Sequence, residues 1–317
     1  MEFSKLEIEH AAMLRPYFME NQCRICDCTL GCTFIWRDHH GTEFAVEDGV
    51  LYLKVAYPVP AFAPPRGAGV SRRSYDRIIE YCAAKNMPAR LRSVSEAALQ
   101  GILEVFQEAA ARTERDWSDY LYRAEDIINL AGRRYSGQRN HINRFMRQYP
   151  DWKFERVTES NLSAVKTFIQ SFTTGDTGTT VNSAGVNNAS SAGDAANAGV
   201  SKRSPAYIEG NMKTLEVLDN LDLYRQFGGA LTVSGEIVGV SLGEILGDTL
   251  YIHAEKAKTA FHGSYPMLAN QFARHFCDDG TRYVNREEDD GIEGLRTSKL
   301  SYHPTELLSK YIVELRV

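Results

Sequence analysis

From Asp151 to Val317 the chain reads as short strands and amphipathic helices in one definite order, and that order leaves few folds open. Trp152–Val157 reads as a short strand. Ser160–Phe172 carries Leu162, Val165, Phe168, Ile169 and Phe172 at helical spacing, and Pro205–Phe227 is a second helical stretch. Gly229–Val233 and Ile237–Ile245 alternate like strands and meet at the tight turn Ser234-Gly235-Glu236. A turn at Gly247-Asp248 leads into a third strand, Thr249–Glu255. The helix Ser264–Phe276 follows, with Leu268, Phe272, Ala273 and Phe276 on one stripe. Arg282–Arg286 reads as a strand, Leu295–Tyr302 as a helix and Tyr311–Val317 as a last strand. The expected succession is therefore β-α-α-β-β-β-α-β-α-β.

The first half repeats that order more faintly. Helical Leu6–Glu20 leads to strand-like Thr33–Trp36, then to a hairpin through Asp48-Gly49 into Val50–Tyr57. A Pro/Gly loop, Pro58–Gly69, precedes a helix at Ser71–Asn86. Strand-like Ala89–Val94, a helix from Ser95 to about Ala111 and strand-like Trp117–Tyr122 follow. These readings predict an α/β chain with mixed (α+β) sheets in two tandem domains, residues 1–123 and 151–317, joined by a helical connector over 124–150. The 317 residues suit two domains of about 150 residues each. Thr173–Ser204 contains no aromatic, Leu or Ile and is expected to be a mobile insertion within the second domain.

Composition narrows the classes further. No apolar run approaches the roughly 18 residues of a membrane span, and Met1-Glu2-Phe3-Ser4-Lys5 has no apolar leader pattern, so a cytoplasmic protein is expected. The net charge of −5 disfavours a general nucleic-acid coating protein and confines any RNA contact to a local patch. Cys23, Cys26, Cys28 and Cys32 fall close together, but zinc sites usually come as two separated pairs. Reduced cysteines serving as small buried hydrophobes, with no metal, are the expectation.

The element order is that of the GNAT acyltransferase fold, in which an acyl donor lies where the fourth and fifth strands splay apart. In such a fold the next helix offers its N–H groups to the donor's phosphates. Alternation along Thr249–Glu255 puts Tyr251, His253 and Glu255 on one face. A polar face on a central strand is costly unless it serves a purpose. His253 or Glu255 is therefore the candidate general base. Lys256, Gly263, Ser264 and Tyr265 sit where the donor loop would be. Only Gly263 fits the R/Q-x-x-G-x-G/A pattern of acetyl-CoA enzymes, and Gly67-Ala68-Gly69 in the first half has both glycines but Pro64 in place of Arg or Gln.

The string from Tyr283 to Pro304, YVNREEDDGIEGLRTSKLSYHP, runs from a strand through an acidic turn into a helix. Asn285, Arg286, Glu287, Arg296 and Lys299 could hold an anionic or carbonyl group there, and Tyr302 is a candidate proton donor. This string, together with Tyr135–Phe145 (YSGQRNHINRF), Glu209–Leu215 (EGNMKTL) and His253–Ala257 (HAEKA), resembles the phosphatidylglycerol lysyltransferase C-terminal-like family. The resemblance implies two fused GNAT-like domains. It also implies relatives that move an amino acid from aminoacyl-tRNA to a lipid or peptide amine. The expected donor is aminoacyl-tRNA or, as the alternative, an acyl-CoA. The expected acceptor is a small molecule bearing an amine or hydroxyl. A non-catalytic small-ligand-binding protein is the rival. Arg133, Arg134, Arg139, Arg144 and Arg147, interleaved with aromatics, form the candidate tRNA patch.

Overall fold

Two seven-stranded mixed sheets organise the chain in the computed structural model, which describes residues 1–19, 23–174 and 205–316. In chain order the strands are β1 (Ser4–Lys5), β2 (Glu43–Glu47), β3 (Val50–Val55), β4 (Ala61–Phe62), β5 (Arg90–Val94), β6 (Ala110–Thr113) and β7 (Asp119–Arg123). They continue with β8 (Lys153–Arg156), β9 (Phe227–Val233), β10 (Glu236–Leu246), β11 (Thr249–Ala257), β12 (Tyr283–Asn285), β13 (Glu306–Leu308) and β14 (Tyr311–Glu314). The helices are α1 (Ala11–Leu14), α2 (Pro16–Met19), α3 (Leu30–Ile35), α4 (Arg72–Ala84), α5 (Glu96–Val105) and α6 (Ala124–Asn129). After them come α7 (Ser136–Gln148), α8 (Glu159–Thr174), α9 (Pro205–Asp219), α10 (Leu221–Tyr224), α11 (Ser264–Phe276) and α12 (Glu293–Leu300). None of the helices among the described residues is long and apolar enough to cross a membrane. Most of the expected mobile insertion, Thr173–Ser204, lies outside the described residues.

The two sheets share one plan. The first runs β1-β2-β3-β4-β5-β14-β6 and the second β13-β7-β12-β11-β10-β9-β8. Each holds five strands in succession, then a strand from the other half of the sequence, then an edge strand. Each also contains a parallel pair, β4 with β5 and β11 with β12. The chain accordingly divides into one unit of Met1–Asp119 with Leu307–Val317 and a second of Tyr120–Glu306. This differs from the expected boundaries. Tyr311–Glu314 pairs with β5 and β6 of the first sheet, and Val313 is fully buried in the first core beside Tyr52, Phe62, Ile78 and Leu91. The expected connector, residues 124–150, belongs to the second unit, where α6 and α7 pack on α11.

Thr33–Trp36, expected as a strand, lies on and just beyond α3. Thr29 caps that helix by accepting the Cys32 N–H at 3.0 Å, which fixes the first turn before the apolar run begins. Phe34 and Ile35 are then buried from helical positions. The expected helix from Ser95 stops at Val105, and β6 follows it.

A buried cation holds the first unit together. Lys310, from the returning end of the chain, places its Nζ 2.7 Å from Asp27 Oδ2, 2.8 Å from Asp119 Oδ1 and 3.2 Å from Cys26 Sγ. Asp119 is 0% exposed, and its other oxygen accepts the Cys26 N–H at 2.6 Å. Burial pushes the Asp27 carboxyl up, but the Lys310 and Arg92 charges outweigh it and hold the group well below the usual carboxylate range.

In the second unit α11 supplies the main apolar face. Met267, Leu268, Phe272 and Phe276 are buried, each worth roughly 1.5–3 kcal/mol relative to exposure, and Phe276 stacks on Phe227 at 4.2 Å. Asn270 on the same helix donates to the carbonyls of Ile127 and Ile128, satisfying acceptors near the end of α6.

Candidate functional site

The splay of β11 from β12 is short and sharp. Their parallel register runs from Thr249–Tyr283 through Tyr251–Asn285 and stops there, while β11 continues to Ala257. On its other side β11 pairs with β10, and the register breaks opposite His253: Ala254 faces Leu242, and Ile252 faces Gly243. His253 is thus the extra residue of a bulge, a device that re-aims side chains. The bulge needs Gly243, because a Cβ there would stand 2.2 Å from the Tyr251 carbonyl oxygen.

Two charged contacts span the splay. His253 places Nδ1 2.8 Å from Glu287 Oε1 and Nε2 2.8 Å from Glu244 Oε1. Its side chain is 2% exposed, so its residual exposure comes from the main chain. Both carboxylates only accept, so both ring nitrogens carry protons. Burial lowers the ring's pKa, yet the hydrogen bonds and charges of Glu244 and Glu287 push it up to about 10. An imidazolium without a lone pair cannot take a proton, which corrects the reading of His253 as the general base. The residue is a brace instead.

The second contact joins Glu255 to Arg286, whose Nε and Nη2 donate to Glu255 Oε2 at 3.1 and 2.7 Å. The two side chains are 14% and 9% exposed. The far atoms of this pair, Glu255 Oε1 and Arg286 Nη1, are buried and have no hydrogen-bond partner among the described residues. One orphaned acceptor and one orphaned donor on adjacent side chains are expensive to leave unmade, a cost of the kind that functional sites carry. Tyr302 completes this corner. Its ring lies under the Arg286 guanidinium at 5.0 Å, and burial pushes its hydroxyl up to about 12, so it keeps its proton at neutral pH. Tyr122 meets the Tyr302 ring edge-on at 6.3 Å.

Several expected ligand-holding residues instead build the turn that carries Arg286 and Glu287. Lys299 Nζ donates to the main-chain oxygens of Arg286 at 2.6 Å, Glu287 at 3.2 Å and Glu288. It is 7% exposed and committed to those carbonyls, which corrects its reading as a holder of an anionic or carbonyl group. Arg296 forms a fork on Asp289 at 2.8 and 3.0 Å, and the Tyr120 hydroxyl donates to the same carboxylate at 2.5 Å. Burial raises the Asp289 carboxyl, but these donors hold it at about 2. Asn285 accepts the Glu287 N–H at 2.7 Å. Tyr251 is buried on β11. Lys256 follows Glu255 on the strand, and burial pushes its ammonium down to about 8.

The start of α11 does not form an open phosphate cradle. Gly263 has φ +86°, and a Cβ there would stand 2.6 Å from the His141 carbonyl oxygen of α7. Ser264 donates to the Lys258 carbonyl at 3.0 Å, and both Ser264 and Tyr265 are buried. A carbonyl oxygen aimed at this helix start repels phosphate, so these three residues serve the packing of α7 on α11 rather than the expected donor contact.

The arginine cluster separates in two. Arg139 donates to the carbonyls of Leu130 and Gly132, and Arg134 pairs with Asp126 at 3.0 Å, so both are structurally engaged. Arg133, Arg144 and Arg147 are exposed. Glu244, Tyr120, Tyr122 and Asp289 were not singled out from the sequence. For Glu244 the signal was a carboxylate inside an apolar strand next to glycine, GVSLGEIL.

Two sheets of one plan, each with a parallel pair that opens into a splay, define a tandem GNAT-like fold. Residues 22–314 match the family described as phosphatidylglycerol lysyltransferase, C-terminal, and the chain belongs to that family. The family and fold are of acyl- and aminoacyl-transferase-like kind. A conserved protein of unknown function from Bacteroides thetaiotaomicron is similar over the whole of both chains, with 26% identity and a TM-score of 0.85. The C-terminal domain of a putative lysylphosphatidylglycerol synthetase from Agrobacterium fabrum shares the fold at 13% identity and a TM-score of 0.63, covering 98% of this chain and 92% of that one. The L-PGS structure from Bacillus licheniformis does so at 11% identity and a TM-score of 0.60, over 96% and 91% of the two chains. An uncharacterised protein of Mycoplasmoides gallisepticum is 26% identical over 201 residues, which span 62% of this chain and 56% of that relative.

Proposed function

We propose that the β11–β12 splay is the transfer site of an aminoacyltransferase that moves an aminoacyl group from aminoacyl-tRNA to an amine or hydroxyl acceptor. The observation that carries this reading is the pair of orphaned buried atoms, Glu255 Oε1 and Arg286 Nη1. A substrate bearing both an amine and a polarised carbonyl satisfies both atoms at once. The Glu255–Arg286 pair opens as the substrate enters. The amine donates to Glu255, while Arg286 donates to the carbonyl oxygen where negative charge develops. The nitrogen lone pair forms the new C–N bond, and the ester C–O bond breaks. Glu255 takes the amine proton and returns it to the leaving ribose oxygen. His253 and Lys299 keep the two walls in register. Exposed Arg133, Arg144 and Arg147 would meet tRNA phosphates, and such a donor implies a cytoplasmic reaction. The closed start of α11 argues against the CoA-dependent alternative.

The test is single-turnover release of labelled amino acid from a pool of charged tRNA in the presence of amine acceptors. Glu255→Gln and Arg286→Lys, each verified as folded, should slow release by roughly 100-fold or more. Undiminished turnover in both variants removes this mechanism.

A further inference from the structure

The first unit has its own splay, and sulfur lines it. β4 and β5 share a single pairing, Phe62 with Leu91. Past that pairing lies a cavity of about 300 Å³ whose walls include Cys23, Cys28, Arg66, Ser93 and Ser95. The Cys28 thiol hydrogen-bonds to the Cys23 sulfur, and the Ile25 main chain and the Ser95 side chain add further hydrogen bonds. Arg66 brings positive charge to the same wall. It is fixed there by donating to the main-chain oxygens of Asp27 at 3.0 Å and Cys28 at 3.2 Å, and by stacking over Phe18 at 4.5 Å.

The thiols of the chain are thereby sorted. The Cys28 hydrogen bond, with the other contacts, brings Cys23 down to about 7 against the opposing effect of burial. Burial pushes Cys82 up to about 11 and Cys277 to about 12, and holds Cys26 well above its ordinary value. Thiolate character and access together decide which cysteine reacts. Cys23 combines thiolate character with a place on the cavity wall, and its neighbour Cys28 is placed to resolve the product.

We propose that Cys23 and Cys28 form a redox-active dithiol that exchanges with small disulfides entering this cavity. The Cys23 thiolate attacks one sulfur of the incoming disulfide, forming a mixed disulfide and releasing one thiolate. Cys28 then loses its proton and attacks the Cys23 sulfur, closing the Cys23–Cys28 bond and releasing the second thiol. The two cysteines are oxidised, and the incoming disulfide is reduced to two thiols. No other electron acceptor is required. Closing the bond brings these two sulfurs to the disulfide length of about 2.05 Å.

The full chain, reduced and freed of reductant, is titrated with glutathione disulfide and mapped by proteolysis and mass spectrometry. The expected product is a peptide joining Cys23 to Cys28. Cys28→Ser should instead trap one glutathione on Cys23. A second measurement needs no variant. Alkylation of the native chain at pH 7 should be at least about 10-fold faster at Cys23 than at Cys82. Its rate at Cys23 should rise with a midpoint near pH 7. Equal alkylation at the two positions, or glutathione captured on a cysteine other than Cys23, overturns the proposal.

Discussion

Both units bury a cation between two carboxylates, yet the two arrangements behave differently. In the first unit the cation is Lys310, between Asp27 and Asp119. In the second it is His253, between Glu244 and Glu287. The lysine joins a strand that arrives from the far end of the chain to residues near its start, so it serves closure of the sheet. The histidine sits on a bulge and ties together two strands that have stopped pairing, so it holds a cleft at fixed width. Beside it stand the orphaned atoms of Glu255 and Arg286. The same electrostatic device thus closes a core in one unit and props a gap in the other.

The largest expected effect lies at Lys310. Lys310→Met leaves Asp119 charged and buried without its cation, and unfolding in urea should show a loss on the order of 3–5 kcal/mol. A loss below about 1 kcal/mol means that the first unit does not depend on this closure.

His253 gives the next largest effect, and its sign is set by its raised pKa. An unfolded histidine titrates near 6.5 and the folded one at about 10. The contribution is therefore complete below pH 6.5 and is lost as pH rises through about 10. Stability of the native chain should fall across that window, by several kcal/mol in total. In His253→Gln the slope should flatten. Identical slopes in the two proteins would show that the ring is not the brace described.

The smallest effect belongs to Arg296, whose side chain is 32% exposed. Arg296→Ala should cost roughly 1 kcal/mol, since Tyr120 and the Gly291 N–H still serve Asp289. The Asp289 contribution is present above its unfolded pKa of about 3.9 and is lost as pH falls through about 2. Acid unfolding of the variant should begin at higher pH than that of the native chain. An unchanged acid midpoint would reduce this pair to a bystander.

Local periodicity made much of the second unit legible. The stripe Leu268, Phe272, Ala273 and Phe276 predicts a helix over Ser264–Phe276, and α11 has those bounds. Alternation on β11 pointed to His253 and Glu255, and the string after Tyr283 pointed to Arg286 and Glu287. Their roles could not be read the same way. Whether His253 accepts or donates depends on Glu244, a residue on another strand. Whether Lys299 meets a ligand depends on three carbonyls of the preceding turn. In the first unit the run at Thr33–Trp36 is too short to separate a buried strand from a helix turn, and the capping hydroxyl of Thr29 decided it. Cys26 and Lys310 stand 284 positions apart, beyond the reach of any spacing argument.

The place of β14 also sets a timetable. Residues 1–119 leave the ribosome before the second unit, but their sheet lacks an interior strand and Asp27 and Asp119 lack the Lys310 ammonium until Lys310 and Tyr311–Glu314 have been made. Domains usually fold as they are synthesised, first half first. Here the half begun first is the last to be finished, and a nascent chain must carry an incomplete sheet while the rest is translated.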